Sequence, residues 1–388
     1  MLQRTSPWIT EDLELLADTA ARFYKREAVP HEPRWRASHM VDRDYWYKLG
    51  EAGLLCVSIP ETYGGGGGDF RHDAVVIQEQ QRAQVGAGSN NVHSGIVAHY
   101  ILQFGTEEQK RRWLPRMATG EMVAAIAMTE PGAGTDLQAL RTSARREGDH
   151  YVVNGSKTFI TNGWHADLVC VVARTGPEAG GKGLSIIVVE TAGQQGYRRG
   201  NLHDKIGQHS IDTCELFFDD MRVPCANLLG AEEGRGFMQL MNQLPRERLI
   251  VATGGVATLQ LAVQETLAYV AQRKVFGEPL LKMQNTRFKL AECQTMAAVA
   301  QSFVDDCVLR AMKGELDLPT AAMAKWWVSD TVCKVIDECL QLFGGYGYMT
   351  EYPIARMYAD ARVGRIYGGS NEVMKELIAR AMERSVTG

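Results

Sequence analysis

The spacing of apolar residues changes twice along this 388-residue chain, and those changes limit the folds open to it. In the first third, segments such as EDLELLADTAARFYKREAV and DYWYKLGEAGLL carry apolar residues at helical spacing. From about Met122 to Pro224 the pattern is short and β-rich: MVAAIAMT, HYVVNGSKTFIT, DLVCVVART, LSIIVVE and CELFFDDMRVP. Gly, Asn and Asp turns separate these runs, as in an antiparallel sandwich or barrel. After Gly234 long helical patterns return, clearest in RERLIVATGGVATLQLAVQETLAYVAQRKVF, FKLAECQTMAAVAQSFVDDCVLRAMKG and TAAMAKWWVSDTVCKVIDECLQLF. Three such helices and a C-terminal one make a four-helix bundle. The expected fold class is therefore α+β and multidomain. It has an N-terminal α-helical domain (1–121), a middle antiparallel β domain of barrel or sandwich type (122–232) and a C-terminal four-helix bundle (233–388).

Charge and motif content narrow the function. Lys and Arg number 42 against 46 Asp and Glu, so there is no electrostatic reason to expect nucleic acid as a partner. No apolar run is long enough to span a membrane. The start, MLQRTSPWITEDLELL, turns acidic too early for a secretion signal or a transit peptide, so a cytoplasmic location is expected. The eight cysteines form no CxxC pair and read as small buried hydrophobes in a reducing compartment. The nine histidines show no metal-ligand spacing, so no metal is expected. Gly64–Gly68 has no strand before it and no GKS or GKT after it, and reads as a flexible loop. No GxGxxG joins a strand to a helix, so a Rossmann dinucleotide site has no support.

Two strand ends offer another way to hold a flat ligand. AMTEPGAGTD (Ala127–Asp136) turns through Pro131, Gly132 and Gly134 and presents the hydroxyls of Thr129 and Thr135. FITNGW supplies Phe159 and Thr161, an aromatic and a hydroxyl. Either one alone is only a turn.

Together with NGSKTFITNG, QRKVFGEPL, QLFGGYGYMTEYPIAR and IYGGSNEVMKELIAR, in this order and over nearly the whole chain, these motifs resemble the acyl-CoA dehydrogenases. LPRERLIVA, VHSGIVAHYI and AMAKWW resemble the long-chain subgroup most. The resemblance implies FAD, a homotetramer, α,β-dehydrogenation of an acyl-CoA thioester in fatty acid β-oxidation, and electron-transfer flavoprotein as electron acceptor. It assigns Met128, Thr129, Gly134, Thr135, Phe159 and Thr161 to the flavin and its ribityl chain. Arg273, Phe276 and Gln284, and separately Gln341 and Gly345, match segments that reach the FAD of a neighbouring subunit. Ser370 and Glu372 match residues closing over the phosphates, although a Glu beside a pyrophosphate is electrostatically awkward. Thr135, Arg248, Tyr367, Gly368 and Gly369 fall at substrate-contacting positions. Taken singly, Arg273 reads as a solvated helix-end cation and Gly344–Gly345 as a helix C-cap.

The chemistry requires a carboxylate beside Cα and hydrogen-bond donors on the thioester oxygen. In many members the residue after the tyrosine of the IYGG segment is the catalytic carboxylate; here it is Gly368. The long-chain and isovaleryl subgroups share this departure and place a glutamate at the start of a bundle helix. That helix opens LPRERLIVATGG, so the resemblance makes Glu247 the base, with Pro245 in the first turn and Ala252, Gly254 and Gly255 leaving room for a ligand. Without that context, Glu247 reads as a first-turn acid favoured by the helix dipole. The resemblance also implies that the backbone N–H of Gly368 serves the thioester oxygen, with a ribityl hydroxyl as the second donor. Gly86, Ala87 and Gly88 match small residues near the pocket's far end and imply a long or branched acyl tail. An O₂-using oxidase or hydroxylase and a non-catalytic relative are the alternatives.

Overall fold

The structure, a computed structural model, describes residues 5–86, 89–178 and 180–387. It has an N-terminal helical domain, a middle β domain and a C-terminal helical domain, as expected. Among the described residues the first domain comprises α1 (Glu11–Glu27), α2 (Glu32–Ser38), α3 (Arg43–Glu51), α4 (Phe70–Arg82), α5 (Ala98–Phe104) and α6 (Glu107–Ala118). Large aromatics fill part of its core: Phe23, Tyr24, Trp35, Tyr45 and Trp46 are buried together. A π-helical stretch, Asn91–Val97, runs directly into α5. Helix α6 starts at a capping box in which Thr106 and Gln109 each satisfy the other's backbone N–H.

The Gly64–Gly68 run is not the flexible loop its composition predicts. The N–H groups of Gly65, Gly66, Gly67 and Gly68 donate to the carbonyls of Pro60, Cys56, Ile59 and Val57. A Cβ at Gly65 would lie 2.2 Å from the Ile59 carbonyl oxygen. Glycine is present because backbone crosses backbone there. Gly65→Ala is expected to destabilise the protein by about 1–3 kcal/mol, the usual range for overpacking. The urea unfolding midpoint reads this, and an unchanged midpoint would show that the segment shifts aside freely.

The middle domain has strands β1 (Ala124–Ala127), β2 (Ser143–Glu147), β3 (His150–Thr161), β4 (Leu168–Arg174), β5 (Leu184–Glu190), β6 (Tyr197–Leu202) and β7 (Thr213–Pro224). They form one sheet in the order β1-β4-β2-β3-β7-β6, with β5 on the other side of β4. The sheet is largely antiparallel, with parallel pairing of β1 to β4 and a single parallel contact of β2 to β4. The β2–β3 hairpin serves as the crossover that parallel pairing needs. Strand β4 is buried on both faces. Leu168, Cys170 and Val172 pack with Trp113 and Leu114 of α6, while Val169, Val171 and Ala173 pack with Tyr151 and Met221 of the sheet. That explains its unbroken apolar run.

The third domain contains α7 (Gly236–Gln272), a two-strand hairpin β8 (Lys274–Val275) and β9 (Glu278–Pro279), α8 (Gln284–Met312), α9 (Leu318–Phe343), α10 (Pro353–Ala361) and α11 (Asn371–Thr387). Helices α7, α8 and α9 pack together, α11 lies on α9, and α4 of the first domain packs against α7. Helix α7 begins earlier than its sequence predicts, so Pro245 lies in its interior and not in its first turn. An interior proline costs about 3 kcal/mol. Burial of Gly236, Gln239, Leu240 and Gln243 on one face extends the helix through it. Polar Gln239 and Gln243 hid that face from the hydrophobic pattern.

Among the described residues no helix is long and apolar enough to cross a membrane. No group of three or more His, Cys, Asp or Glu side chains among them could hold a metal. The eight cysteines are free, and most are buried.

Candidate active site

A cleft of about 1620 Å³, counting its open mouth, lies where α4, α7, α10 and the end of β3 meet. Its walls include Glu247, Val251 and Gly254 of α7, Tyr367 and Gly368 of the loop before α11, and Thr161 of β3. Gly368 rests one helical turn from Glu247, since a Cβ on it would meet Val251 Cγ2 at 3.8 Å. Gly368 and Gly369 both adopt positive φ, 65° and 87°. A side chain at either would be strained, so glycine suits both positions of this turn.

Glu247 is buried. Its Oε1 accepts a hydrogen bond of 2.8 Å from the hydroxyl of Tyr100 on α5. Burial raises its carboxyl above the usual range, opposed by the Tyr100 bond and the charge of Arg248. Arg248 is buried, and its Nε and Nη1 have no hydrogen-bond partner among the described residues. Burial pushes its pKa down to about 10, against the pull of Glu247. The Gly369 carbonyl accepts 2.7 Å from Lys325 Nζ of α9, which also donates to Asn371 Oδ1 at 3.0 Å. Burial, then repulsion from Arg248, lowers Lys325 to about 8.

Arg246, the preceding residue, faces away from this group. It donates to Gly95 O at 2.9 Å and Ser58 Oγ at 3.2 Å, and pairs with Asp73 of α4. Nε2 of His99 lies 2.7 Å from Arg246 Nη2. Arginine has no acceptor, so this imidazole nitrogen accepts and His99 is neutral. Burial, then Arg246, keeps the His99 pKa well below its ordinary value.

The two β-domain strand ends also come together. Thr158 N donates to Thr129 O at 2.9 Å, and Lys157 Nζ donates to Met128 O at 3.0 Å. Lys157 is buried against Glu130, 2.8 Å away, and burial lowers its pKa to about 8. Gly134 and Thr135 lie exposed on the same turn. Phe159 is 65% exposed at φ 58°, on a bulge in β3. A large aromatic held open in the left-handed region suits a flat partner against its face.

Other predicted residues do not line the cleft. Arg273 lies over the Tyr346 ring at 5.8 Å; Phe276 is 99% exposed, and Gln284, Gln341 and Gly345 are also exposed. Arg273, Phe276 and Gln284 follow α7 into the start of α8, whereas Gln341 and Gly345 lie at the end of α9. Ser370 and exposed Glu372 lie at the start of α11. Ala252 is packed in the bundle core, away from the cleft. Gly255 touches the cleft, but its Cβ would meet Val328 at 2.6 Å, so it mainly permits α7 and α9 to pack closely. Gly86 lines the cleft; Ala87 and Gly88 lie outside the described residues.

Family models place this architecture. The acyl-CoA dehydrogenase N-terminal domain matches residues 10–121, the middle domain 125–221 and the C-terminal domain 234–383. This chain belongs to the acyl-CoA dehydrogenase family. As such it is an oxidoreductase acting on the CH–CH group of donors. The dehydrogenase is 46% identical over 369 residues to the long-chain specific acyl-CoA dehydrogenase, mitochondrial, of Mus musculus, covering 95% of this chain and 85% of that protein. The crystal structure of acyl-CoA dehydrogenase from Geobacillus kaustophilus superposes with a TM-score of 0.95 at 43% identity, covering 97% of this chain and 100% of that one. A glutaryl-CoA dehydrogenase from Mycobacterium smegmatis, solved in complex with FADH2, superposes with a TM-score of 0.89 at 25% identity, over 96% and 95% of the two chains.

Sequence reasoning missed Tyr100 and Lys325 as parts of the site, and Asp73 as the partner of Arg246. A lysine in the apolar helix AMAKWW was the one visible signal, because an unpaired buried ammonium is costly.

Proposed function

We propose that the chain dehydrogenates a long-chain or branched acyl-CoA to the trans-2-enoyl-CoA with FAD, and that Glu247 is the base. The observation that carries this reading is the placement of a buried carboxylate and the Gly368 loop on adjacent walls of one cleft. Burial gives Glu247 the raised basicity that abstraction of a weakly acidic α-proton needs. The N–H of Gly368 then donates to the thioester oxygen as negative charge develops there. Arg248 and Lys325 surround the loop with positive charge, and Arg248 serves the CoA portion; Thr135, Tyr367 and Gly369 complete the thioester's surroundings.

The residues fit FAD: the open Phe159 face and exposed Gly134 turn leave room for a flat ring and its chain. Met128, Thr129, Gly134, Thr135, Phe159 and Thr161 would hold it, with Ser370 and Glu372 near its phosphates. When bound, FAD supplies the hydride acceptor. Arg273, Phe276, Gln284, Gln341 and Gly345 serve the FAD of a neighbouring copy in a homotetramer, which accounts for a phenylalanine left fully exposed in one chain. Electron-transfer flavoprotein is the inferred acceptor. Anaerobic addition of a long-chain acyl-CoA is expected to bleach the flavin, and reoxidation by electron-transfer flavoprotein is expected to outpace that by O₂. No bleaching with any acyl-CoA would overturn the reading, and faster reoxidation by O₂ would make the protein an oxidase.

Gly254 tests the course of the acyl tail. It lies seven residues beyond Glu247, about 10 Å along the helix. A Cβ there meets only ordinary contacts, Ile77 at 3.5 Å and Gln81 at 3.7 Å. Gly254→Phe is therefore expected to project its ring into the cleft. Its kcat/KM should fall at least about tenfold more for long acyl chains than for short ones. Equal losses at all lengths would place the tail elsewhere.

A further inference from the structure

Tyr100 is wholly buried, on a helix of a different domain from Glu247 and 147 residues away in sequence. Its ring is packed beside Phe104, with a centroid separation of 6.2 Å. The hydroxyl bonds to Oε1 of Glu247, and among the described residues Oε2 of Glu247 takes no hydrogen bond. We propose that Tyr100 is the positioning residue of the base: it pins one carboxylate oxygen and leaves the other for the substrate. This rests on Glu247 being the base.

The surroundings make this hydrogen bond matter. Arg248 is the charge that faces Glu247, and Lys325 on α9 lies beyond it. Arg246 is committed to Asp73 on α4 and to His99 on α5. Tyr367 shares the cleft wall, and Cys170 of β4 faces the tyrosine. Among the described residues Tyr100 is therefore the one neutral donor bound to the carboxylate. A donor to a carboxylate favours its charged form, so removing it raises the carboxyl's pKa further. The base must be ionised to accept a proton, so the loss appears on the acid side only.

The test uses the FAD-loaded enzyme. In Tyr100→Phe the acid limb of the flavin-reduction rate is expected to move up by about one pH unit. The rate below that limb then falls about tenfold, the scale of one hydrogen bond to a charge, while the rate at high pH and acyl-CoA affinity stay near wild type. An infrared titration of the carboxyl band, assigned with Glu247→Gln, should show the same upward shift without turnover. Incorporating 3-fluorotyrosine at position 100, a more acidic donor, should move limb and band down, and this arm decides the matter should Tyr100→Phe fail to fold. A uniform rate loss at every pH with an unmoved band would reduce Tyr100 to packing and overturn the proposal. Wild-type reduction in Glu247→Gln would instead overturn the base assignment on which it rests.

Discussion

Glu247→Gln is expected to lower the rate of flavin reduction by about a hundredfold or more, the usual scale for a positioned general base. FAD content and acyl-CoA binding should persist. The amide keeps the shape of the side chain, and its oxygen can still accept from Tyr100, so the wall around it is preserved. Rapid mixing with acyl-CoA under anaerobic conditions measures the step directly. Reduction at the wild-type rate with the best acyl-CoA would mean that the base lies elsewhere. Adding Gly368→Glu to this variant offers a carboxylate from the adjacent wall. The nearest atom to its Cβ would be 3.8 Å away, but it would stand at φ 65°, so any recovery should be partial.

The second large effect concerns the other neighbour of Glu247. Arg246→Leu is expected to destabilise the protein by about 3–5 kcal/mol, because it leaves the Asp73 charge buried and unpaired. Only Ser58, donating at 2.5 Å, would remain of the hydrogen bonds now seen on that carboxylate. Burial already raises the Asp73 pKa against the pull of Arg246, so the carboxyl is expected to take up a proton in the variant. Asp73→Leu in the same chain should recover much of the loss, since removing both partners leaves no uncompensated charge. Urea unfolding of the single and double variants measures both. If the single variant costs less than the double, the ion pair does not hold α4 to α7.

Much of this was legible in the chain. Alternating runs such as HYVVNGSKTFIT and helical runs such as EDLELLADTAARFYKRE became β3 and α1 because period and burial agree in them. Strand β4, buried on both faces, was recognisable by its continuous apolar run. The glycine run misled because composition reports conformational freedom, whereas the close crossing with Ile59 is a contact between backbones. The start of α7 misled because buried Gln239 and Gln243 look like surface residues in a hydrophobic pattern.

By itself, the sequence determined the order of the domains, through its two changes of period, and the family, through motifs spread over the whole chain. It also singled out Glu247, through the glycine at position 368. What Arg246, Glu247 and Arg248 each do was left to tertiary structure. Successive residues of a helix point about 100° apart, so three adjacent charges face three different neighbours. One is paired with Asp73 of α4, one is held by Tyr100 of α5, and one lies beside the Gly369 loop with Lys325 beyond it. Each of those partners lies far away in the chain, and a carboxylate's basicity depends on its burial and on the donor beside it, neither of which is a property of the residue alone.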